Sequence, residues 1–144
     1  MMTMRKSDMR KLQVLKNSTL RLLLGKRYDT PTHNLLTESK SLSVNQTVAY
    51  SMVSQVWKIR KSEQPRYHYS RLFGRITGPD VNTRSVTSHE LRLDFRLSTG
   101  RSSFFYHASN LWNNLPAEIR DSGTLPRFKR NVKKWIMDNI PMKV

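Results

Sequence analysis

The strongest constraint on this chain lies between Ser102 and Ile136, where apolar residues return every three or four positions on both sides of Pro116. That period belongs to helices. Ser102 or Ser103 supplies an N-cap, and Phe104, Ala108, Leu111, Trp112 and Leu115 share one face. Pro116 closes the helix, because the residue before a proline is pushed out of the helical region. Asp121, Ser122 and Gly123 read as a turn, after which Thr124 and Pro126 open a last helix with Leu125, Phe128, Val132, Trp135 and Ile136 inward. Its other faces receive Arg127, Lys129, Arg130, Lys133 and Lys134. Residues 102–140 are therefore expected to form a helical hairpin with a basic back.

The same period recurs upstream. Ser43 and Gln46 have the spacing of a capping box, and Val44, Val48, Met52, Val56 and Ile59 make a stripe with Trp57 beside it. Nearer the N-terminus, Ser7 reads as the cap of a helix running to about Leu24, with Met9, Leu12, Leu15, Thr19, Leu22 and Leu23 as its inner face and Gly25 as its stop. Thr30-Pro31 introduces a single helical turn. Residues 64–101 hold Pro65, Gly74, Gly78, Pro79 and Gly100 and read as loop-rich. Within them Leu91, Leu93, Phe95 and Leu97 alternate with charged residues, the pattern of a short strand or an extended arm near 90–97. The expected fold is mainly α: one small irregular module of 144 residues, with amphipathic helices near 8–24, 43–60, 103–115 and 125–139.

Charge says more about partners than about fold. Lys plus Arg number 26 against 10 Asp plus Glu, a net +16. The excess is spread: +7 over residues 1–27, +1 over 28–63, +4 over 64–102 and +4 over 103–144. A surplus of that size points to a polyanion, in the first place nucleic acid. The absence of cysteine excludes a disulfide framework, a zinc ribbon and thiol chemistry together. No apolar run reaches the roughly 18 residues of a membrane span, so a soluble intracellular protein without membrane or small-molecule partners is expected.

Catalytic constellations are missing from the sequence. His33, His68, His89 and His107 lack the spacing of a helical metal site, and no G-x-S-x-G elbow or Gly-rich phosphate loop occurs. Neither metal nor cofactor is expected. The stretch RYHYSRLFGR, residues 66–75, interleaves Arg66, Arg71 and Arg75 with Tyr67, Tyr69 and Phe73, a mixture suited to single-stranded nucleic acid and equally to core packing of Tyr69, Leu72 and Phe73. Trp112 and Trp135, among leucines and phenylalanines, read as core.

A specific string runs through the hairpin: Ser103-Phe104, Ala108, Leu111-Trp112-Asn113, Leu115-Pro116, Ile119-Arg120, Leu125 and Phe128-Lys129. It resembles the C-terminal tail of non-LTR (LINE-type) retrotransposon reverse transcriptases. The segment from Leu20 to Lys26 and the Thr99-Gly100-Arg101 linker are similar to the same family, and the likeness is strongest over 99–136. The resemblance implies descent from an RNA-directed DNA polymerase whose catalysis uses a carboxylate pair to hold two metal ions. No Asp-Asp pair occurs here, so the chain reads as the tail without its enzyme, non-catalytic by itself.

The residues expected to meet phosphates are Arg10, Lys16, Arg21, Lys26 and Arg27 from the first helix, Arg66, Arg71 and Arg75 from the loop, and Arg127, Arg130, Lys133 and Lys134 from the last helix. Their partner would be RNA or a template–primer duplex. The competing expectation is a structural segment whose stripes dock on the thumb of the polymerase domain of a parent protein, or a relic with no activity.

Overall fold

Residues 5–73 and 103–141 are described by a computed structural model, and they are mainly helical. Seven helices occur among them: α1 (Lys6–Leu24), α2 (Thr32–Glu38), α3 (Val44–Ser62), α4 (Arg66–Phe73), α5 (Phe104–Asn114), α6 (Ala117–Arg120) and α7 (Leu125–Asn139). None is long and apolar enough to cross a membrane. The strand or arm expected near 90–97 lies outside the described residues. Contacts within the chain define two compact units, one over Ser51–Lys133 and the other over Met4–Tyr50 and Lys134–Val144.

In the Ser51–Lys133 unit the core is built from Val53, Val56, Trp57, Ile59, Leu72, Ala108, Trp112, Leu115, Phe128 and Val132, all buried. Phe128 stands between two tryptophans, its ring centroid 5.5 Å from that of Trp57 and 6.1 Å from that of Trp112. Of the α5 face expected inward, Ala108, Trp112 and Leu115 are buried, while Phe104 and Leu111 are half-buried. Ser103 caps α5, its side chain accepting from the Tyr106 N–H at 3.4 Å. Leu115, ahead of Pro116, has left the helix with φ −71° and ψ 140°. Two expectations need correction. The stretch from residue 64 is not all loop, since α4 occupies Arg66–Phe73. Pro65 stands just ahead of that helix, so what reads as loop punctuation there precedes its first turn. On α3, burial favours Ala49, Val53 and Trp57 alongside Val56 and Ile59, whereas Val44, Val48 and Met52 are only half-buried.

In the other unit, Leu20, Leu35 and Leu36 form an apolar cluster with Leu24 packed against it. The capping box is present: the Ser43 N–H donates to Gln46 Oε1 at 2.9 Å, and the Gln46 N–H to Ser43 Oγ at 3.3 Å. Gly25 ends α1 at φ 61°, with the Lys26 N–H donating to the Arg21 carbonyl at 2.9 Å, a left-handed closure that glycine adopts without strain.

The expectations for α1 itself fail in two respects. Ser7 is not its cap: the helix starts at Lys6, and Arg5 at the N-cap position makes no side-chain cap bond. More consequentially, its buried residues are Gln13, Asn17 and Leu20, while Leu12 is 40% exposed, Leu15 64%, Leu22 85% and Leu23 76%. The physical reason is hydrogen bonding. Gln13 Oε1 accepts the Val44 N–H at 2.8 Å, one of the donors that the start of α3 leaves without an intrahelical acceptor. Gln13 Nε2 donates to Asn17 Oδ1 at 2.8 Å, and Asn17 Nδ2 to Thr32 Oγ1 at 2.8 Å. Rotating the leucines inward would break this chain and strand its polar atoms.

Candidate nucleic-acid interface

The twelve basic residues singled out by sequence fall into three structural situations. On α1 and just beyond it, most are occupied. Lys16 is half-buried and donates from Nζ to the Leu42 carbonyl, and burial holds its ammonium pKa below the ordinary lysine value. Arg21 donates from Nη2 to the Thr30 carbonyl at 3.0 Å. Lys26 pairs with Glu38 at 3.1 Å and Arg27 with Asp29 at 3.7 Å. Arg10 is exposed at the edge of an open depression lined also by Gln13, Val14, Thr32 and His33. The surplus charge of this end is thus partly consumed in holding the unit together.

The last helix behaves differently. Phe128, Val132 and Ile136 are fully buried along one side of α7, and Arg127, Arg130, Lys133 and Lys134 are all exposed. At about 100° per residue, Arg127, Arg130 and Lys134 project roughly 140–160° away from the middle of the buried stripe, and Lys133 flanks it at about 100°. Among the described residues no carboxylate is ion-paired with Arg127 or Arg130. Leu125 and Trp135, expected inside, are half-buried at the margins of the stripe.

A third grouping joins α4 to α5. Arg66 and Arg71 are exposed, and Arg75 lies outside the described residues. Arg71 places its guanidinium carbon 5.0 Å from the Phe105 ring centroid and 6.0 Å from that of Tyr67, and donates from Nη1 to the Tyr67 hydroxyl at 3.0 Å. His68 stacks on Phe105 at 5.5 Å with an interplanar angle of 29°. Tyr67 meets Phe105 at 6.3 Å and 81°, edge to face. Over residues 66–73, Leu72 is buried and Tyr69 pairs with Phe73 at 5.4 Å, as the packing reading expects, while Tyr67 is 62% exposed.

Sequence reasoning missed Phe105, which lies next to Phe104, the residue expected inward, and 34 residues after Arg71 in the chain. It also missed Arg60, which donates to the Arg120 carbonyl at 3.0 Å and to Asp121 Oδ1 at 3.2 Å while its guanidinium carbon stands 5.9 Å from the Trp112 ring centroid. Neither has a local signal, because both depend on which helices meet. Among the described residues there is no group of three or more His, Asp or Glu side chains placed to hold a metal ion. Comparison with family models, curated proteins and solved structures returned no match.

Proposed function

We propose that this chain is a non-catalytic module that binds RNA or DNA without regard to sequence, through phosphate contacts. The observation carrying this reading is the outward basic face of α7, where Arg127 and Arg130 stand exposed opposite buried Phe128 and Val132. Like charges gathered on one helix face repel one another, and a polyanion relieves that repulsion. The net charge of +16 supports the reading, as does the resemblance of residues 99–136 to the tail of non-LTR reverse transcriptases, whose substrates are nucleic acids. The test is the salt dependence of binding to several single-stranded RNAs of unrelated sequence. Log Kd should rise linearly with log salt, about 0.7 per phosphate contacted, with similar affinity for each sequence. No binding at low salt, or strong preference for one sequence, would overturn it.

A second reading is favoured by a different observation. The exposed leucines of α1, Leu12, Leu15, Leu22 and Leu23, recur at helical spacing and form the kind of apolar face that proteins ordinarily cover. On this reading the chain is a docking segment, and that face packs on the polymerase portion of a larger protein of the resembled family. The purified chain should then self-associate with rising concentration, and Leu22→Ser with Leu23→Ser should abolish that association. A chain that sediments as a monomer at all concentrations would count against the docking reading.

A further inference from the structure

We infer that Tyr67, Arg71 and Phe105 form a stacking platform that gives this module a preference for single-stranded over double-stranded nucleic acid. The inference rests on the phosphate-binding function proposed above and assigns it a substrate class. The starting point is the position of Arg71. An exposed arginine ordinarily samples many rotamers, but this one is held against two rings and tied by one N–H to the Tyr67 hydroxyl. A guanidinium has five N–H donors, so one bond to Tyr67 leaves donors for a phosphate. No ion pair to a carboxylate engages Arg71 among the described residues. Arg66, exposed in the first turn of α4, adds a second cation to the same helix.

The rings supply what a phosphate clamp alone lacks. Tyr67 is 62% exposed, and its neighbours His68 and Phe105 meet it at 72° and 81° rather than stacking on it. Leaving so large an apolar ring in water is a cost that contact with a flat apolar partner would offset. Nucleobases stack both on tyrosine rings and on guanidinium planes, and a guanidinium laid against Phe105 extends the surface available. In a duplex the base faces are covered by neighbouring pairs. Only an unpaired strand can offer both a free base face and an adjacent phosphate, which is the pairing of groups found here.

The experiment measures Kd for a labelled single-stranded RNA of about twelve nucleotides and for a hairpin duplex of similar length, each across the same series of salt concentrations. The proteins are the parent chain, Tyr67→Ala and Arg71→Lys. Tyr67→Ala changes an exposed side chain, and its circular dichroism should match the parent. It should weaken single-strand binding about tenfold, the scale of one lost base stack, and leave duplex binding within about twofold. Arg71→Lys keeps the charge but loses the planar group, so it should leave the salt dependence intact and reduce the single-strand preference. If single-strand and duplex affinities fall equally in Tyr67→Ala, or neither falls, the platform is refuted while phosphate binding stands. If the parent chain binds neither nucleic acid, both proposals fail together.

Discussion

Helices α1 and α7 look alike in sequence and are used in opposite ways. Both are amphipathic and basic, and in both the apolar residues recur at helical spacing. In α7 the apolar stripe is the buried one: Phe128, Val132 and Ile136 have no exposed surface, and the cations face outward. In α1 the buried side holds Gln13, Asn17 and Leu20, and the leucine stripe faces outward. The difference lies in what each helix meets. Phe128 of α7 meets the rings of Trp57 and Trp112, an apolar contact. On α1, Gln13 meets the Val44 N–H and Asn17 meets the Thr32 hydroxyl, groups that need polar acceptors and donors. Apolar spacing therefore identifies a helix's sticky face, but which face is buried within one chain depends on the polar needs of the neighbouring backbone.

The contrast can be broken most forcefully on the apolar side. Trp112→Ala removes a fully buried indole packed 6.1 Å from Phe128, and should lower stability by about 3–5 kcal/mol in chemical denaturation. An unchanged denaturation midpoint would place Trp112 outside the core and undo the account of the hairpin. Next in size is Gln13→Leu. If spacing alone governed burial, adding a leucine to the inner face of α1 would stabilise the protein. Because it deprives the Val44 N–H and Asn17 Oδ1 of partners, a loss of about 1–3 kcal/mol is expected instead. Leu22→Ser and Leu23→Ser together should change monomer stability by no more than about 0.5 kcal/mol, since both side chains are already in water.

The smallest effect concerns Lys16. Burial lowers its folded-state pKa below the unfolded value, so the unfolded chain holds the proton more tightly. Stability therefore rises as pH climbs from the folded pKa towards the unfolded one. The wider loss of positive charge at alkaline pH acts in the same direction, so the informative quantity is the difference between parent and Lys16→Met. That difference should move in favour of the parent as pH rises through this window, by less than either change above. Parallel stability curves for the two proteins would show that Lys16 is as hydrated folded as unfolded.

These comparisons also show what could be read from sequence. Elements with local causes were legible: the Ser43–Gln46 capping box, the Gly25 stop, the Ser103 cap and the break before Pro116 each depend on residues within five positions of one another. The outward face of α7 was legible for the same reason, since Phe128 and Val132 fix it by themselves. Features that depend on distant contacts were not. Gln13 reaches Val44 across 31 positions, and Arg71 reaches Phe105 across 34. No periodicity encodes either meeting. The short helix α4 was missed because Pro65 reads as loop punctuation just ahead of it, and eight residues are too few for a period to stand out.

The central claim is that the basic face of α7, and not the leucine face of α1, is the working surface of this chain. It is tested most directly by comparing two double variants in one salt titration with a single-stranded RNA: Arg127→Gln with Arg130→Gln, and Leu22→Ser with Leu23→Ser. The α7 variant should bind more weakly, with the slope of log Kd against log salt reduced by about 1.4, two phosphate contacts at about 0.7 each. The α1 variant should superimpose on the parent. An α7 variant indistinguishable from the parent at every salt concentration would contradict the account and leave the docking face of α1 as the better explanation of the chain.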